Sequence, residues 1–384
     1  MDIQAPAEAA NGLDYLSYGF GIASYLTDPI CKSHEYFRRI SVVDSLHPDG
    51  NRAMNFVRKL FFGAGVPFFA VTGFLPAMAG IAIRKALCSL QTQPFIHLKG
   101  NLNKIKKEHD GTFSTFFWNI GTPMAGYVIT DANQMPWPFR IEKIIKKIRE
   151  QDADIVALAE VFDIKTAFRL YAGLKDEYPF FYLNIGPRHL GVSSGLFVAS
   201  RFEVTDPQFV PFPKEMLVDR TKNAEKGSFS VLIKSSGKVF AQVLVEHLQH
   251  SEEPQFPRTD PKCNEVKARK DEIEKVVIPH IKNGMATVVV GDLNCDEKEF
   301  NTSSWESRFD RGEYPKEPTW AGDAFCASLT RGKKISRPLT LDYAMIVKGT
   351  AKGIRTELIT TGHDAKKFDS GLSDHAGLRS VIRV

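Results

Sequence analysis

Six short segments place an acid, an amide or a histidine directly at the end of an apolar run: Phe117-Trp118-Asn119, Ala159-Glu160-Val161, Glu246-His247-Leu248-Gln249, Gly291-Asp292-Leu293-Asn294, Leu341-Asp342-Tyr343 and Ser373-Asp374-His375. Polar residues at strand ends are held rigidly by a sheet and left open by the loops that follow. Each one alone reads most simply as a solvated loop residue or a hydrogen-bonded structural group. Their convergence carries the argument: two histidines, three aspartates, one glutamate and two asparagines, with no nucleophilic serine or cysteine. A hard cation such as Mg²⁺ takes one or two carboxylates plus water and phosphate oxygens, and Glu160 is the natural first ligand. A histidine paired with a carboxylate takes a proton from water near neutral pH. A second histidine, as a donor, stabilises charge on pentacovalent phosphorus, and asparagines offer neutral donors to phosphate oxygens. The set suits metal-assisted hydrolysis of a phosphate ester with water as nucleophile. It does not suit zinc, because the histidines are scattered and Cys31, Cys88, Cys263, Cys295 and Cys326 are isolated from one another.

The elements that must carry these residues are legible from residue 112 onward. Phe113 to Asn119, Asp154 to Val161 and Thr287 to Asn294 read as buried strands. Gly195 to Ser200, Ser228 to Lys234, Val239 to His247, Leu341 to Val347 and Leu378 to Val384 read as further strands. Arg140 to Glu150 carries Ile141, Ile144, Ile145 and Ile148 at helical spacing, and Asn264 to Ile281 reads as a charged helix with an apolar seam. Consecutive strands outnumber helices, which points to packed sheets with helices outside.

Residues 1–111 form a separate appendage in this reading, ending in a polar linker from Leu98 to Gly111. Within it, Leu60 to Ile83 is a run of 24 uncharged residues flanked by Arg58, Lys59, Arg84 and Lys85. A helix of that length reaches across a ~30 Å hydrocarbon core. Pro67 and Pro76 inside it predict a kinked helix or two short ones. Two readings stand side by side: a membrane segment, and a hairpin buried against the remainder of the protein. Met1 to Asn11 lacks the basic start and apolar core of a secretory signal. An odd number of widely spaced cysteines fits a reducing compartment. A cytoplasmic or membrane-associated protein is the expectation. The net charge of +5 in 384 residues neither demands nor excludes a nucleic-acid partner.

Taken in order, Trp118-Asn119, the Asp154-to-Val161 run with Glu160, Ser194-Gly195-Leu196 through Ser200-Arg201-Phe202, His247-Leu248-Gln249, Gly291-Asp292-Leu293-Asn294, Leu341-Asp342-Tyr343 and Ser373-Asp374-His375 resemble the endonuclease/exonuclease/phosphatase superfamily. The resemblance spans residues 112–384, the size of one large domain. It implies an α/β fold: a four-layer sandwich of two mainly antiparallel β-sheets flanked by helices, here with an N-terminal apolar helical appendage. It further implies Mg²⁺, with Mn²⁺ as a substitute, bound by Glu160 with Asn119 helping and Asp374 in support. His375 is implied as general base or its partner, oriented by Asp342. Asp292 would position or activate water, Asn294 would contact phosphate, and His247 would stabilise the transition state. One departure is Ala159, where the family usually has Gln before the metal-binding Glu. The ligand itself is retained.

The superfamily shares one mechanism among several substrates, so catalytic residues do not choose between them. The stretch from Asp219 to Phe229, with Lys226-Gly227, followed by His247-Leu248-Gln249, resembles neutral sphingomyelinases more than repair nucleases. Such enzymes often carry apolar membrane segments, which gives Leu60 to Ile83 a purpose. The expected substrate is therefore a phosphoester of a membrane lipid, sphingomyelin-like or phosphoinositide-like. The alternatives are an endonuclease or exonuclease acting on DNA or RNA, and a non-catalytic, membrane-docked binding module.

Overall fold

The computed structural model describes residues 14–46, 50–106, 108–122, 137–187, 192–251, 263–320, 338–360 and 371–384. The start of the chain read for a signal segment, Lys107 and Cys326 lie outside them. The four described cysteines are free thiols. One sheet contains Ile96–Lys99 (β1), Thr112–Thr122 (β2), Ile155–Val161 (β3), Phe180–Leu183 (β4) and Phe197–Ser200 (β5). The second contains Glu203–Pro211 (β6), Gly227–Ser235 (β7), Lys238–His247 (β8), Ala286–Asp292 (β9), Phe309–Asp310 (β10) and Asp342–Val347 (β11). Gly353–Ile359 (β12) and Gly377–Arg383 (β13) return to the first. The strand orders are β1-β4-β5-β3-β2-β13-β12 and β10-β11-β9-β8-β7-β6. The β2–β3 and β8–β9 pairs are parallel and the other pairs antiparallel.

Alternation along each strand sorts side chains to two faces. Phe113 and Phe117 of β2, Ile155 and Ala157 of β3, Val243 and Val245 of β8, Val288 and Val290 of β9 and Ala344 and Ile346 of β11 all enter one buried cluster between the sheets. The intervening residues face outward. Phe116, Trp118, Val156 and Leu158 pack under Trp137–Gln151 (α3) and Ile164–Leu174 (α4), using the isoleucine stripe of α3. Leu244, Val289, Tyr343 and Met345 pack under a helical segment on the second sheet. That segment is Asn264–Glu272 (α5), a wider π-helical turn at Ile273–Val277 and a short Ile278–His280 helix. The result is helix, sheet, sheet, helix, the layering expected from the sequence.

The linker expected from Leu98 onward begins instead inside a strand. In β1, Ile96 and Leu98 are buried and the strand pairs antiparallel with β4 at the sheet edge. Four residues are too few for a periodicity to be read, and the apolar partner face lies more than eighty residues away in sequence.

The N-terminal region is an antiparallel hairpin of Asp14–Leu46 (α1) and Arg52–Leu90 (α2). α2 is one continuous helix that contains both Pro67 and Pro76, so of the two expected forms the pair of short helices is not found. A Cβ at Gly80 would sit 2.6 Å from the Ala23 carbonyl oxygen, and one at Gly73 would sit 2.6 Å from the Ile30 nitrogen. The glycines thus let the two backbones touch. The buried-hairpin reading is overturned: only 17% of the most apolar stretch of α2 is buried. Phe61, Phe68, Val71, Phe74 and Leu75 face solvent. The hairpin docks on the sandwich through α1 and through the C-terminal end of α2, where Leu87 and Cys88 pack against the same cluster. Phe20 enters the cluster under α3 and α4, Ser24 Oγ donates to Asp163 Oδ1 at 3.5 Å, and Lys165 bonds Asp28.

Two glycines on α2 give opposite expectations. Gly80→Val destabilises the hairpin by about 1–3 kcal/mol through overpacking. Gly63→Ala, with nothing within 4 Å of the new methyl, stabilises it by about 0.5–1 kcal/mol through helix propensity. Equilibrium denaturation followed by helix content measures both, and equal shifts in one direction would contradict the close packing.

Candidate active site

The same alternation that fills the core delivers the polar residues. Asn119 continues the inward face of Phe113 and Phe117; His247 continues Val243 and Val245; Asp292 continues Val288 and Val290; Asp342 precedes Ala344 and Ile346. Because β8 and β9 are parallel and in register at His247 and Asp292, both side chains arrive at one end of the sandwich. Asp342 pairs opposite Asp292 across the antiparallel β9–β11 ladder. Glu160 reaches the same end by a different route. Its φ of 59° is left-handed, as is the 51° of Asn294. Such backbone in a non-glycine residue costs about 1–3 kcal/mol and collects at functional sites.

Asp292 is the centre. Its Oδ2 accepts from Asn119 Nδ2 at 2.9 Å, and its Oδ1 accepts from the Asn294 backbone N–H at 2.9 Å. Asn119 Nδ2 also donates to Glu160 Oε1 at 3.1 Å, while its Oδ1 accepts from the Gly121 N–H. Two imidazole Nε2 atoms flank Asp292 Oδ2, His247 at 3.8 Å and His375 at 3.9 Å. These separations exceed a direct hydrogen bond and match a gap bridged by water or a substrate oxygen. His375 Nδ1 is 2.8 Å from Asp342 Oδ2. The acid only accepts, so Nδ1 carries a proton and Nε2 is turned toward Asp292. Asp292, Asp342, Asn119, His247, Asn294 and His375 are all buried, whereas Glu160 keeps 28% of its side chain open to solvent.

The pKa values of the two histidines are pushed in opposite directions. Burial disfavours charge on both. For His247, burial is reinforced by Lys226, His250 and His375, and its pKa falls well below the usual value. For His375, burial is outweighed by the charge and hydrogen bond of Asp342, with Asp292 and Asp374 adding to them, and its pKa rises well above the usual value. Burial and the charge of Asp342 push Asp292 up to about 6. Burial and Asp374 raise Glu160 as well.

Crowded, reluctantly charged carboxylates are a donor set that a hard dication relieves. Ligand atoms of Glu160, His247 and Asp292 lie within 4.8 Å of one another, as do those of Asp292, Asp342 and His375. His247 Nδ1 and Asp342 Oδ1 are buried without a hydrogen-bond partner. The oxygen-rich part of this set fits Mg²⁺. It differs from the expected metal set in two respects. Asp292 stands beside Glu160, while Asp374 acts on it only through charge and accepts from Trp320 Nε1 at 3.2 Å. Asn119 faces the carboxylates with its N–H groups, so it aligns them as a donor; ligation through its oxygen requires the amide to turn.

All eight expected site residues are thus gathered at one end of the sandwich. The groups that hold them there were not foreseen. Arg140 is buried on α3 and donates to the carbonyls of Ile120, Gly121 and Leu372, tying the end of β2 to the segment before β13. Trp118 Nε1 donates to the His375 carbonyl at 2.8 Å, and Ser373 Oγ donates to the Asn119 carbonyl at 2.6 Å. Thr319 Oγ1 accepts from the N–H groups of Leu341 and Asp342. Lys226 is buried with Nζ on the Leu248 carbonyl at 2.6 Å. These contacts are to backbone far away in sequence, so no local pattern announces them.

A raised pKa on His375 stabilises the folded protein fully below about pH 6.5 and ceases to do so as pH rises through the folded value. Asp342→Asn in protein freed of divalent ions lowers the His375 pKa, read by NMR titration of the ring. It also costs most stability on the acidic side, and an unchanged titration would contradict the pairing.

The model of the Endonuclease/Exonuclease/phosphatase family matches residues 116–375. No curated protein matches the chain by sequence. Solved structures with this fold include SmcL, at a TM-score of 0.57 and 18% identity, covering 71% of this chain and 100% of SmcL. A double mutant of beta toxin from Staphylococcus aureus with bound magnesium ions has a TM-score of 0.54 and 18% identity, covering 70% of this chain and 98% of the toxin. Sphingomyelinase C from Streptomyces griseocarneus has a TM-score of 0.52 and 18% identity, covering 70% and 99%. With the matched model spanning most of the sandwich and both sheets in place, the chain belongs to the endonuclease/exonuclease/phosphatase family, whose members hydrolyse phosphoester bonds.

Proposed function

We propose that this protein is a Mg²⁺-dependent phosphodiesterase or phosphatase that cleaves a membrane-lipid phosphoester, sphingomyelin-like or phosphoinositide-like, by attack of water. The observation that carries the reading is the pair of imidazole Nε2 atoms on either side of Asp292 Oδ2, beside a Glu160 open to solvent. A divalent cation held by Glu160 and Asp292 supplies positive charge to the phosphoryl oxygens. Asn119 keeps those two carboxylates together. Asp292 and His375, backed by Asp342, act as one proton-sharing unit that orients the water and takes its proton. Asn294 donates to a phosphoryl oxygen. Neutral His247 donates an N–H to the charge that builds on phosphorus. Asp374, fixed by Trp320, maintains the local negative field. The magnesium in the beta toxin structure supports the choice of ion, and the sphingomyelinase C likeness supports a lipid.

The lipid reading rests equally on the α1–α2 hairpin, serving as an appendage to a catalytic sandwich whose first sheet already includes β1. The exposed apolar face of α2 is long enough to cross a membrane, but a crossing fits the packing poorly. Lys32, Glu35 and Arg39 of α1 lie beside the apolar half of α2, as the Lys32–Phe69 contact, the Ser33–Val66 hydrogen bond and the Arg39–Phe62 contact place them. Each such charge costs about 2.5–3.5 kcal/mol in the hydrocarbon. The sandwich is also fastened at Phe20, Ser24 and Asp28, level with Gly73 to Leu87 of α2. A helix lying in the membrane surface, with Phe61, Phe68, Val71 and Leu75 among the acyl chains, avoids both conflicts.

Glu160→Gln and His375→Ala each lower Mg²⁺-dependent hydrolysis by about a hundredfold or more while thermal unfolding stays cooperative. Full activity in either sinks the assignment. A substrate panel of sphingomyelin micelles, a soluble phosphoinositide head group and abasic or intact DNA tests the class; DNA cleavage without lipid cleavage replaces the lipid reading with the nuclease one. Sedimentation with phospholipid vesicles tests the hairpin. Wild-type protein pellets, and a variant with Phe61, Phe68 and Leu75 all changed to Ser stays in the supernatant. A wild type that stays soluble overturns this part.

A further inference from the structure

Beyond His247 the chain continues through buried Leu248 and Gln249 to His250, which is exposed. Its ring Nδ1 lies 3.3 Å from Asn294 Oδ1. The two ends of the Asn294 amide are told apart by their other neighbours. The Leu248 carbonyl, 3.3 Å away, can only accept, so the nitrogen Nδ2 must face it. The oxygen Oδ1 is thereby left on the imidazole side. It too can only accept, so Nδ1 of His250 carries a proton. The Asn294 backbone is pinned independently, by its N–H on Asp292 Oδ1 at 2.9 Å and its left-handed φ of 51°. Lys226 Nζ holds the same Leu248 carbonyl at 2.6 Å, so the acceptor that orients the amide is itself fixed.

This arrangement settles what Asn294 can offer a ligand. One Nδ2 hydrogen is used on Leu248, and the oxygen is used on His250. The remaining hydrogen makes the side chain a donor. A flipped amide would present oxygen lone pairs to the same place and repel an anionic phosphate. We propose that His250 is a positioning residue that sets the Asn294 amide in its donating orientation toward a phosphoryl oxygen of the substrate. The inference deepens the phosphoester reading and rests on it for the identity of the ligand, but not for the orientation of the amide. The role belongs to Nδ1 of His250, acts through Asn294, and involves no proton transfer by His250.

The test is a double-mutant cycle on Mg²⁺-dependent hydrolysis of sphingomyelin micelles and of bis(p-nitrophenyl) phosphate. Asn294→Ala lowers kcat by about a hundredfold, as loss of one preorganised donor does. His250→Ala lowers kcat about tenfold with KM little changed, and adds nothing in the Asn294→Ala background. His250→Asn places an amide N–H where Nδ1 stood and recovers most of the loss; His250→Gln, whose amide reaches the Nε2 position, does not. Additive losses, or recovery by Gln and not by Asn, overturn the proposal. An arm without turnover uses protein labelled with ¹⁵N-asparagine, the Asn294 side-chain amide being assigned by its disappearance in Asn294→Ala. That resonance shifts in His250→Ala and returns toward its wild-type position in His250→Asn. An unmoved resonance in His250→Ala overturns the proposal. Should wild-type protein cleave neither substrate, the phosphoester reading fails while the labelled amide still decides the role of His250.

Discussion

The Asp292 carboxylate organises this molecule's chemistry, because it is buried at the point where two sheets and two histidines meet. An ionised carboxylate in such a place is tolerated only when its oxygens are occupied. Asn119 occupies one and the Asn294 backbone the other. The Asn119 bond crosses between the sheets, so it also fixes the end of β2 against the end of β9. The nearby charge of Asp342 works against ionisation of Asp292, and His375 relieves it. The acids, the amides and the histidines are therefore mutually dependent, and removing one leaves a buried partner unmatched.

That polar centre needs a rigid frame, and the frame is built largely from backbone contacts. Arg140 gathers three carbonyls, two from the end of β2 and one from the segment before β13. Burial lowers its pKa to about 10, with Asp374 and Glu160 opposing the shift, so it stays cationic and also balances the acids electrostatically. Trp118 and Ser373 hold the segment that bears His375, and Thr319 holds the one that bears Asp342. Left-handed backbone at Glu160 and Asn294 is sustained by these surroundings, with the Thr122 hydroxyl on the Glu160 carbonyl and the Asp292 carboxylate on the Asn294 N–H. Strain of this kind persists only where the neighbouring structure over-determines it.

Among the described residues, the hairpin meets this frame through Phe20, Leu87 and Cys88 at the cluster under α3 and α4, and through Ser24 and Asp28 at the start of α4. Asp163 caps the start of α4, accepts from Trp137 of α3 and from Ser24 of α1, and follows Glu160 by three residues. A long apolar face is thus connected through a buried carboxylate to the strand that carries the solvent-facing acid. Glycines at the α1–α2 interface bring the two helix backbones into contact, while Val71, Phe74 and Leu75 on the outer face stay open to solvent.

The residues of the site are legible in the amino-acid sequence itself, since strand-end acids and histidines follow apolar runs whose period-two alternation is local. The alternation at Val243, Val245 and His247, or at Val288, Val290 and Asp292, already states which face each polar side chain shares. The layering followed from the same signal plus the isoleucine stripe of α3. Only the tertiary structure decided which acids stand together, placing Asp292 beside Glu160 and turning the N–H groups of Asn119 inward, because those distances are set by pairing between strands remote in sequence. It alone revealed Arg140, Trp320 and His250, whose partners are backbone or side chains that no spacing rule connects to them. It alone decided the fate of Leu60 to Ile83. Composition fixes that the segment is apolar, but whether an apolar face is buried depends on what packs against it, and here α1 covers one side and leaves the other open.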